Sequence, residues 1–266
     1  MSQPRQAPVD GDFSVPPGPQ WKRVVTKTSR LEAAGGVWRF VNTLTHGDTY
    51  TNAQIDGYQG VPRSAFPWQP PLTLTVEARF THPDGHLCGT AGFGFWNDPF
   101  LMTGLRLPAL PQAVWFFYGS PPTNLKLAVD VPGRGWKAAA LDAKSLPAPL
   151  LLPLAPLAVP LMNVPPLYRA LWPLAGRALR ISEALVPAEM TAWHAYRIEW
   201  GVERVRFLVD GAPILEGPSP RGPLGFVMWN DNQAMVATPQ GQFRWRTLPV
   251  PGEQAMEVRA LRITPG

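Results

Sequence analysis

Short runs of alternating apolar and polar positions recur along most of the chain from Trp21 onward. In AYRIEW (195–200), three large apolar residues alternate with Arg197 and Glu199, which is typical of a half-buried antiparallel strand. Similar runs, separated by turn residues, predict strands at 37–41, 72–80, 90–96, 113–118, 125–131, 195–200, 204–211, 224–229, 243–248 and 256–263. Because no helical pattern alternates with these strands, we predict an all-β sandwich.

One segment, residues 145–190, breaks the pattern and is interpreted as an insertion between two strands. Its first part, 146–168, has no charge and is long enough to cross a bilayer, but its seven prolines exclude a continuous helix. In 167–185, apolar residues recur at helical spacing with arginines off that stripe, which predicts an amphipathic helix. The insertion is therefore expected to be Pro/Leu-rich and partly helical.

The ends and composition of the chain set its predicted organisation. Residues 1–20 are polar and proline-rich and predict a flexible tail, while 21–266 form a single domain interrupted by the insertion. The N-terminus lacks the apolar core of a signal peptide. Cys88 is the only cysteine, so no intrachain disulfide forms. We expect a cytoplasmic location.

The net charge of +5 and pI of about 9.7 raise the question of a nucleic-acid partner. The arginines are spread along the chain in pairs such as Arg204/Arg206 and Arg244/Arg246, which place both charges on the wet face of a strand. We therefore expect no nucleic-acid partner. The four histidines show no metal-ligand spacing, and we predict neither a metal nor a cofactor.

Five segments together carry a family resemblance. They are TYTNAQID (49–56), LTVEARF (74–80), GTAGFGFW (89–96), WHAYRIEWGVERVRFLVDG (193–211) and MEVRALRI (256–263). Their order resembles the concanavalin A-like jelly roll of family 16 glycoside hydrolases, the laminarinase and lichenase type. The resemblance covers about 21–264 apart from the insertion, and it implies a jelly-roll β-sandwich with a concave sheet.

The resemblance also implies where the family's chemistry would lie. One strand of the family carries Glu-x-Asp-x-Glu, whose outer carboxylates act as nucleophile and acid/base. The matching stretch here, 111–120, has Gln112 at the first Glu, Val114 at the Asp, and Phe116 or Phe117 at the last Glu. All three acids are missing, so we assign no catalytic residue and predict that the protein is not an active glycoside hydrolase. Whether it catalyses another reaction stays open.

A seven-residue frame occurs twice, as GFGFWND (92–98) and GFVMWND (225–231), and the resemblance places both copies on the concave sheet. The copies are interpreted either as two buried strands running into similar turns, or as parts of a site. In a site, tryptophan rings would stack on a ligand and the Asn/Asp pairs would fix its polar end. The predicted ligand-binding residues are Trp96, Asn97, Asp98, Gln112, Trp115, Phe117, Trp229, Asn230 and Asp231.

The aromatic character of 113–118 favours one function over another. We predict a non-hydrolytic protein that binds, and in one version transforms, a hydrophobic small molecule such as a polyene, a terpenoid or an acyl chain. The alternative is a lectin-like module that binds carbohydrate without hydrolysing it. A lectin requires the Asn/Asp pairs to point into the cleft, whereas an apolar pocket requires the insertion to fold over it.

An uncharged stretch as long as the insertion must be covered by something. Three partners are considered: the cleft, over which the insertion would be a lid; a second subunit; and a membrane surface contacted through 146–185. The lid is the leading prediction.

Overall fold

The computed structural model describes residues 7–99 and 109–266. Within these ranges the chain forms two large antiparallel sheets packed face to face and a third, three-stranded sheet at one side. This arrangement confirms the prediction of an all-β jelly roll with a partly helical insertion.

The first large sheet is called the outer sheet. In spatial order its path is β14–β13–β12–β6–β18–β4–β3, and β1 pairs with β18 at the side. Its strands are β1 (Val9–Asp10), β3 (Ser29–Ala34), β4 (Val37–Asn42), β6 (Leu72–Phe80), β12 (His194–Trp200), β13 (Arg204–Val209), β14 (Ala212–Pro218) and β18 (Gln254–Pro265). Every second residue of β6 is buried, as expected for a strand with one face on the core.

The second large sheet is called the cleft sheet, and its order is β11–β10–β8–β7–β15–β5–β2. Its strands are β2 (Lys22–Val25), β5 (Asn52–Asp56), β7 (Thr90–Trp96), β8 (Gln112–Gly119), β10 (Gly135–Asp142), β11 (Ser182–Leu185) and β15 (Gly225–Asp231). The small sheet contains β9 (Asn124–Leu125), β16 (Gln233–Ala237) and β17 (Phe243–Thr247). Strand β10 is buried along its whole length and β8 at seven of its eight residues, so this sheet is covered on both faces.

Part of the predicted flexible tail lies against the outer sheet. Val9 pairs with Ile263 of β18, and the indole Nε1 of Trp38 donates a hydrogen bond to the Val15 carbonyl (2.8 Å). The ring of Phe13 packs on Trp38, with 4.3 Å between centroids. Trp38 thus offers residues 9–15 of the predicted tail an apolar surface and a hydrogen-bond donor.

The insertion contains α1 (Ala148–Leu151), a 3-10 turn (Leu152–Leu154), α2 (Ala155–Leu161) and α3 (Pro165–Ala178). The helix predicted over 167–185 ends earlier, because Arg180 adopts a left-handed conformation (φ 51°). Residues 182–185 then form β11 on β10, so sheet pairing overrides their helical spacing.

Among the described residues, none of the helices combines the length and the hydrophobicity that crossing a membrane requires.

The strand predicted over 125–131 was also wrong, since only Asn124–Leu125 is extended there. The backbone amides of Leu127 and Ala128 donate instead to the Glu183 carboxylate (3.2 and 2.8 Å). A buried side chain thus takes the place of a strand partner for this segment.

Candidate functional site

A cleft of about 740 Å³ lies on the face of the cleft sheet that points away from the core. The small sheet walls it on one side through Leu125, Met235, Ala237, Phe243 and Trp245. The cleft therefore has a rigid floor of paired strands and a wall that comes from a separate sheet.

Four aromatic rings form a continuous surface, here called the aromatic floor. Trp115 is central, and its ring centroid lies 5.7 Å from Trp96, 5.5 Å from Phe117 and 5.9 Å from Trp229. Strands β7, β8 and β15 are neighbours in the sheet, which brings these side chains together. Rings at such separations give an apolar surface suited to stacking.

Two glycines of β7 give these rings their space. A Cβ atom on Gly92 would lie 2.2 Å from the Phe116 carbonyl oxygen and 3.1 Å from the Trp229 ring. A Cβ atom on Gly94 would lie 2.7 Å from the Cβ of Trp115. The rings of the floor therefore lie against the backbone of β7 at two positions where no side chain fits, and this explains the Gly-x-Gly spacing of the strand.

Strand β8 carries the stretch matched to the family's catalytic acids, and its side chains divide between the two faces of the cleft sheet. Val114 and Phe116 point into the core between the sheets, whereas Ala113, Trp115 and Phe117 line the cleft. The strand is apolar on both faces, so period-two alternation could not distinguish them. The sequence of β8 contains no aspartate or glutamate, so this strand presents no carboxylate to the cleft.

The side of the floor beside β5 is polar. Asn52 and Asp231 are opposite one another in the register of β5 and β15, and both line the cleft. Asp231 Oδ1 accepts hydrogen bonds from Thr90 Oγ1 (2.7 Å) and the Gln233 amide (3.0 Å). Burial raises the pKa of Asp231 to about 7. Trp229 Nε1 donates to Thr90 Oγ1 (3.0 Å), which joins this polar group to the aromatic floor.

A buried ion pair closes the opposite side. Lys137 Nζ lies 2.6 Å from Glu183 Oε1 and also donates to the carbonyls of Leu125 (2.9 Å) and Pro132 (3.2 Å). Burial lowers the pKa of Lys137. Since the other Glu183 oxygen accepts two backbone amides, both oxygens of this carboxylate are occupied.

The predicted site residues divide into two groups. Trp96, Gln112, Trp115, Phe117, Trp229 and Asp231 line the cleft. Gln112 does so at one end, and its amide nitrogen donates to Asp142 Oδ1 (2.9 Å) and the Arg221 carbonyl (2.7 Å).

The other three predicted residues do not line the cleft, so the two Asn/Asp pairs are not equivalent. Asn97 bonds the backbone of Leu110 and Gln112 beside the ends of β7 and β8. Asp98 follows it, fully buried and with a left-handed backbone (φ 46°). Asn230 points to the outer sheet, where its Nδ2 donates to the Phe40 carbonyl (2.9 Å). The first pair is thus turn chemistry, and the second continues a strand.

Sequence reasoning missed several lining residues, namely Tyr50, Asn52, Gln54, Gln59, Lys137, Glu183, Phe243 and Trp245. A signal was present in two cases. Asn52 and Gln54 alternate with apolar residues in TNAQID, and Phe243 and Trp245 alternate with arginines in FRWRT. Lys137 carried no such signal, because it lies in an otherwise buried strand.

The insertion does not form the predicted lid, because none of the described residues from 145 to 181 lines the cleft. It packs against the outside of the wall instead. Trp172 Nε1 donates to the Leu127 carbonyl (2.6 Å). Asn163 Nδ2 donates to the Gln240 carbonyl (3.4 Å), and Gln240 Nε2 donates to the Met162 carbonyl (3.3 Å). The insertion therefore supports the wall from behind.

Comparison with known proteins identifies the fold. No family model matches the chain, and no curated protein does. Solved structures resemble it over almost its full length. An apo Crh5 transglycosylase matches at TM-score 0.51 and 12% identity, with 98% of this chain and 85% of that chain covered. A prokaryotic β-1,3-1,4-glucanase (lichenase) derived from a mouse hindgut metagenome matches at 0.52 and 8%, with 98% and 100% covered.

An endo-1,3-β-glucanase (laminarinase) catalytic domain from Thermotoga petrophila RKU-1 also matches, at TM-score 0.50 and 10% identity, with 96% and 95% covered. The architecture is thus the jelly roll of the family 16 type of endo-glycosidase, as the sequence resemblance implied. Identities this low establish the fold alone.

Proposed function

We propose that the protein binds a hydrophobic small molecule in the cleft without hydrolysing a glycosidic bond. The observation that carries this proposal is the aromatic floor, in which Trp115 and Phe117 occupy the face of β8 that would have to carry catalytic carboxylates. A polyene, a terpenoid or an acyl chain has the flat or extended apolar surface that such a floor stacks against.

The carboxylates of the cleft support the absence of hydrolysis. Every aspartate and glutamate of the sequence lies in the described ranges, and only Asp231 and Glu183 line the cleft. A retaining mechanism needs two free carboxyl groups on either side of the scissile bond. Glu183 is bound to Lys137 and two amides, which leaves Asp231 alone.

The test is to identify what the protein binds. Native mass spectrometry and solvent extraction of freshly purified protein should reveal an apolar molecule, and tryptophan fluorescence should respond to an added polyene. The same titration with laminari-oligosaccharides is the control. Saturable binding of the oligosaccharides with no response to any polyene would contradict the proposal.

Carbohydrate binding without hydrolysis is the second candidate, and one observation favours it. Asn52 and Gln54 form a row of amides along the floor, with Asn52 Nδ2 donating to Gln54 Oε1 (3.3 Å). Amide rows beside aromatic rings are suited to sugar hydroxyls, and the fold is shared with carbohydrate-active enzymes. The oligosaccharide titration above decides between the two candidates.

We further propose that the insertion contacts an anionic membrane surface. Between residues 146 and 174 of the insertion, eight large apolar side chains are 38–73% exposed, namely Leu146, Leu150, Leu154, Leu157, Leu161, Val164, Leu167 and Leu174. Those at 150, 154, 157 and 161 recur at helical spacing, so they form one stripe. Such a stripe is suited to lie in the interface of a bilayer.

Charge favours a membrane over a second copy of the chain. Residues 143–182 contain four cations and no acid, and Lys144, Arg169 and Arg177 are exposed with no carboxylate partner in the described parts of the chain. Two insertions facing one another would repel, whereas anionic lipid attracts each cation by about 1 kcal/mol.

A further inference from the structure

Among the polar side chains beside the aromatic floor, the amide oxygen of Asn52 accepts no hydrogen bond from the described residues. Asn52 is 4% exposed and lines the cleft, and its Oδ1 has no hydrogen-bond partner among the described residues. Its Nδ2 donates to Gln54 Oε1, and Tyr50 lines the cleft beside the same amide, so the amide oxygen is the end without a partner. A buried acceptor left unpaired lowers stability, and a donor entering from the cleft would remove that penalty.

Asp231 faces the same space from the neighbouring strand. Its Cα pairs with that of Asn52 in the register of β15 and β5, and side chains opposite one another in this way lie about 5 Å apart at Cβ. Thr90 and the Gln233 amide both bond Oδ1 of Asp231. The second oxygen therefore remains for a ligand between the two strands.

The apolar floor begins beside this pair. Trp229 lies two residues before Asp231 on the same face of β15, and its ring continues to Trp115 and then to Trp96. A molecule lying on the floor with one end at Asn52 would be apolar along its length and polar at that end.

We infer that the cleft binds its apolar ligand by a terminal hydroxyl group, which donates to Asn52 Oδ1 and accepts from the carboxyl group of Asp231. A carboxylate end has no proton to donate to Asn52 Oδ1. A methyl or ether end would leave Asn52 unpaired. Burial of Asp231 keeps its carboxyl group protonated in part at neutral pH, which supplies the second hydrogen bond. This inference rests on the proposed binding of a hydrophobic molecule.

The test compares four retinoids that share one polyene and differ only at the end: all-trans-retinol, its methyl ether, retinoic acid and retinylamine. Binding is measured by quenching of tryptophan fluorescence. We expect retinol to bind about tenfold tighter than the ether, the effect of one net hydrogen bond, and tighter than the acid and the amine. Equal binding of all four would overturn the hydroxyl assignment and leave the proposed function intact. Tighter binding of the amine or the acid would also overturn it, and binding of none would overturn both.

Variants separate recognition from folding. Asn52→Leu keeps the branched shape and the number of side-chain heavy atoms and removes the unpaired oxygen, so it should abolish or reverse the preference for retinol over the ether. Asn163→Leu, an exposed position on the insertion, is the matched control and should keep that preference. A preference that survives Asn52→Leu contradicts the inference. If Asn52→Leu does not fold, as judged by circular dichroism, the retinoid series on the unmodified protein decides alone.

Discussion

At the scale of single residues, Trp115 is the side chain whose loss should weaken ligand binding most clearly. Its ring packs against three other rings of the aromatic floor, and it is only partly buried. We expect Trp115→Ala to weaken binding of a polyene by about 1–3 kcal/mol, as for a central aromatic contact. Isothermal titration or fluorescence measures this loss.

The control is Trp193→Ala, because Trp193 is also partly buried but packs under Arg79 and Arg259 on the outer sheet. It should leave polyene affinity unchanged. Equal losses of affinity in both variants would show that the effect is not specific to the floor.

Because its pKa is raised, Asp231 should make the protein less stable as the pH rises, which is the opposite of the usual effect of an aspartate. An unfolded aspartate titrates near 3.8, whereas burial raises the pKa of Asp231 to about 7 in the folded chain. Between these values the folded chain holds a proton that the unfolded chain has released, so this group's contribution to stability falls as the pH rises from about 4 to 7. Three pKa units correspond to an effect on the order of 4 kcal/mol at most.

Asp231→Asn cannot titrate, so its free energy of unfolding should decline less over this window than that of the unmodified protein. Urea unfolding at a series of pH values measures the difference. The exposed Asp130→Asn is the control and should follow the unmodified protein. Parallel curves for Asp231→Asn and the unmodified protein would contradict the raised pKa.

Breaking the Lys137–Glu183 ion pair should lower the free energy of unfolding, and a second substitution should recover part of the lost stability. Lys137→Met leaves a fully buried carboxylate without its cation, which typically costs about 3–5 kcal/mol. Lys137→Met combined with Glu183→Gln removes the charge and keeps an acceptor for the Leu127 and Ala128 amides, so it should be the more stable of the two. Chemical denaturation measures both, and a double variant less stable than the single one would contradict this account.

At the scale of elements, the sequence pattern predicted strand bounds correctly where one face of the strand is exposed to solvent. Strands β6 and β12 alternate apolar and polar residues, and both were predicted within one residue of their bounds. Strand β10 was missed, because GWKAAALD is buried along its length and its run of alanines shows no period of two.

The insertion shows a different limit of sequence reasoning. Its helical spacing was read correctly as far as Ala178, but residues 182–185 pair with β10, a partner that is distant in sequence and local propensity cannot reveal. The polar members that were missed lie in or beside β5, β10 and β11, and no motif linked these segments to the site. The aromatic members were found because they lie in the repeated Gly-Phe-x-x-Trp-Asn-Asp frame and in the stretch matched to the family's catalytic strand.

The insertion also carries a prediction of its own. Replacing Leu150, Leu154 and Leu157 by serine should abolish co-sedimentation with liposomes containing phosphatidylserine, since these side chains are 56–73% exposed on one stripe. Binding of the unmodified protein should weaken with added salt, because the exposed Lys144, Arg169 and Arg177 contribute attraction that salt screens.

The matched control changes three exposed apolar residues elsewhere, Val15, Leu44 and Val202, to serine. It should sediment with liposomes like the unmodified protein. If the insertion variant still binds liposomes, or if instead it converts a dimer into a monomer, the membrane proposal is wrong.

At the scale of the whole molecule, the chain has the jelly-roll fold seen in endo-glycosidases, and the face of β8 that borders the cleft is aromatic. We expect no release of reducing sugar from laminarin or lichenan, because no second free carboxylate borders the cleft. An active laminarinase assayed in parallel is the control. Turnover that survives repeated purification and is lost in Asp231→Asn would contradict this expectation.

The pairing of β10 with β11 makes the insertion an exchangeable module. Ala140 and Ser182 are register partners, so the chain re-enters the sheet beside the point where it left. A short turn could close that hairpin with the sandwich unchanged, and segments of other lengths could be grafted there. The membrane contact proposed for this segment can therefore be engineered without changing the strands that carry the aromatic floor.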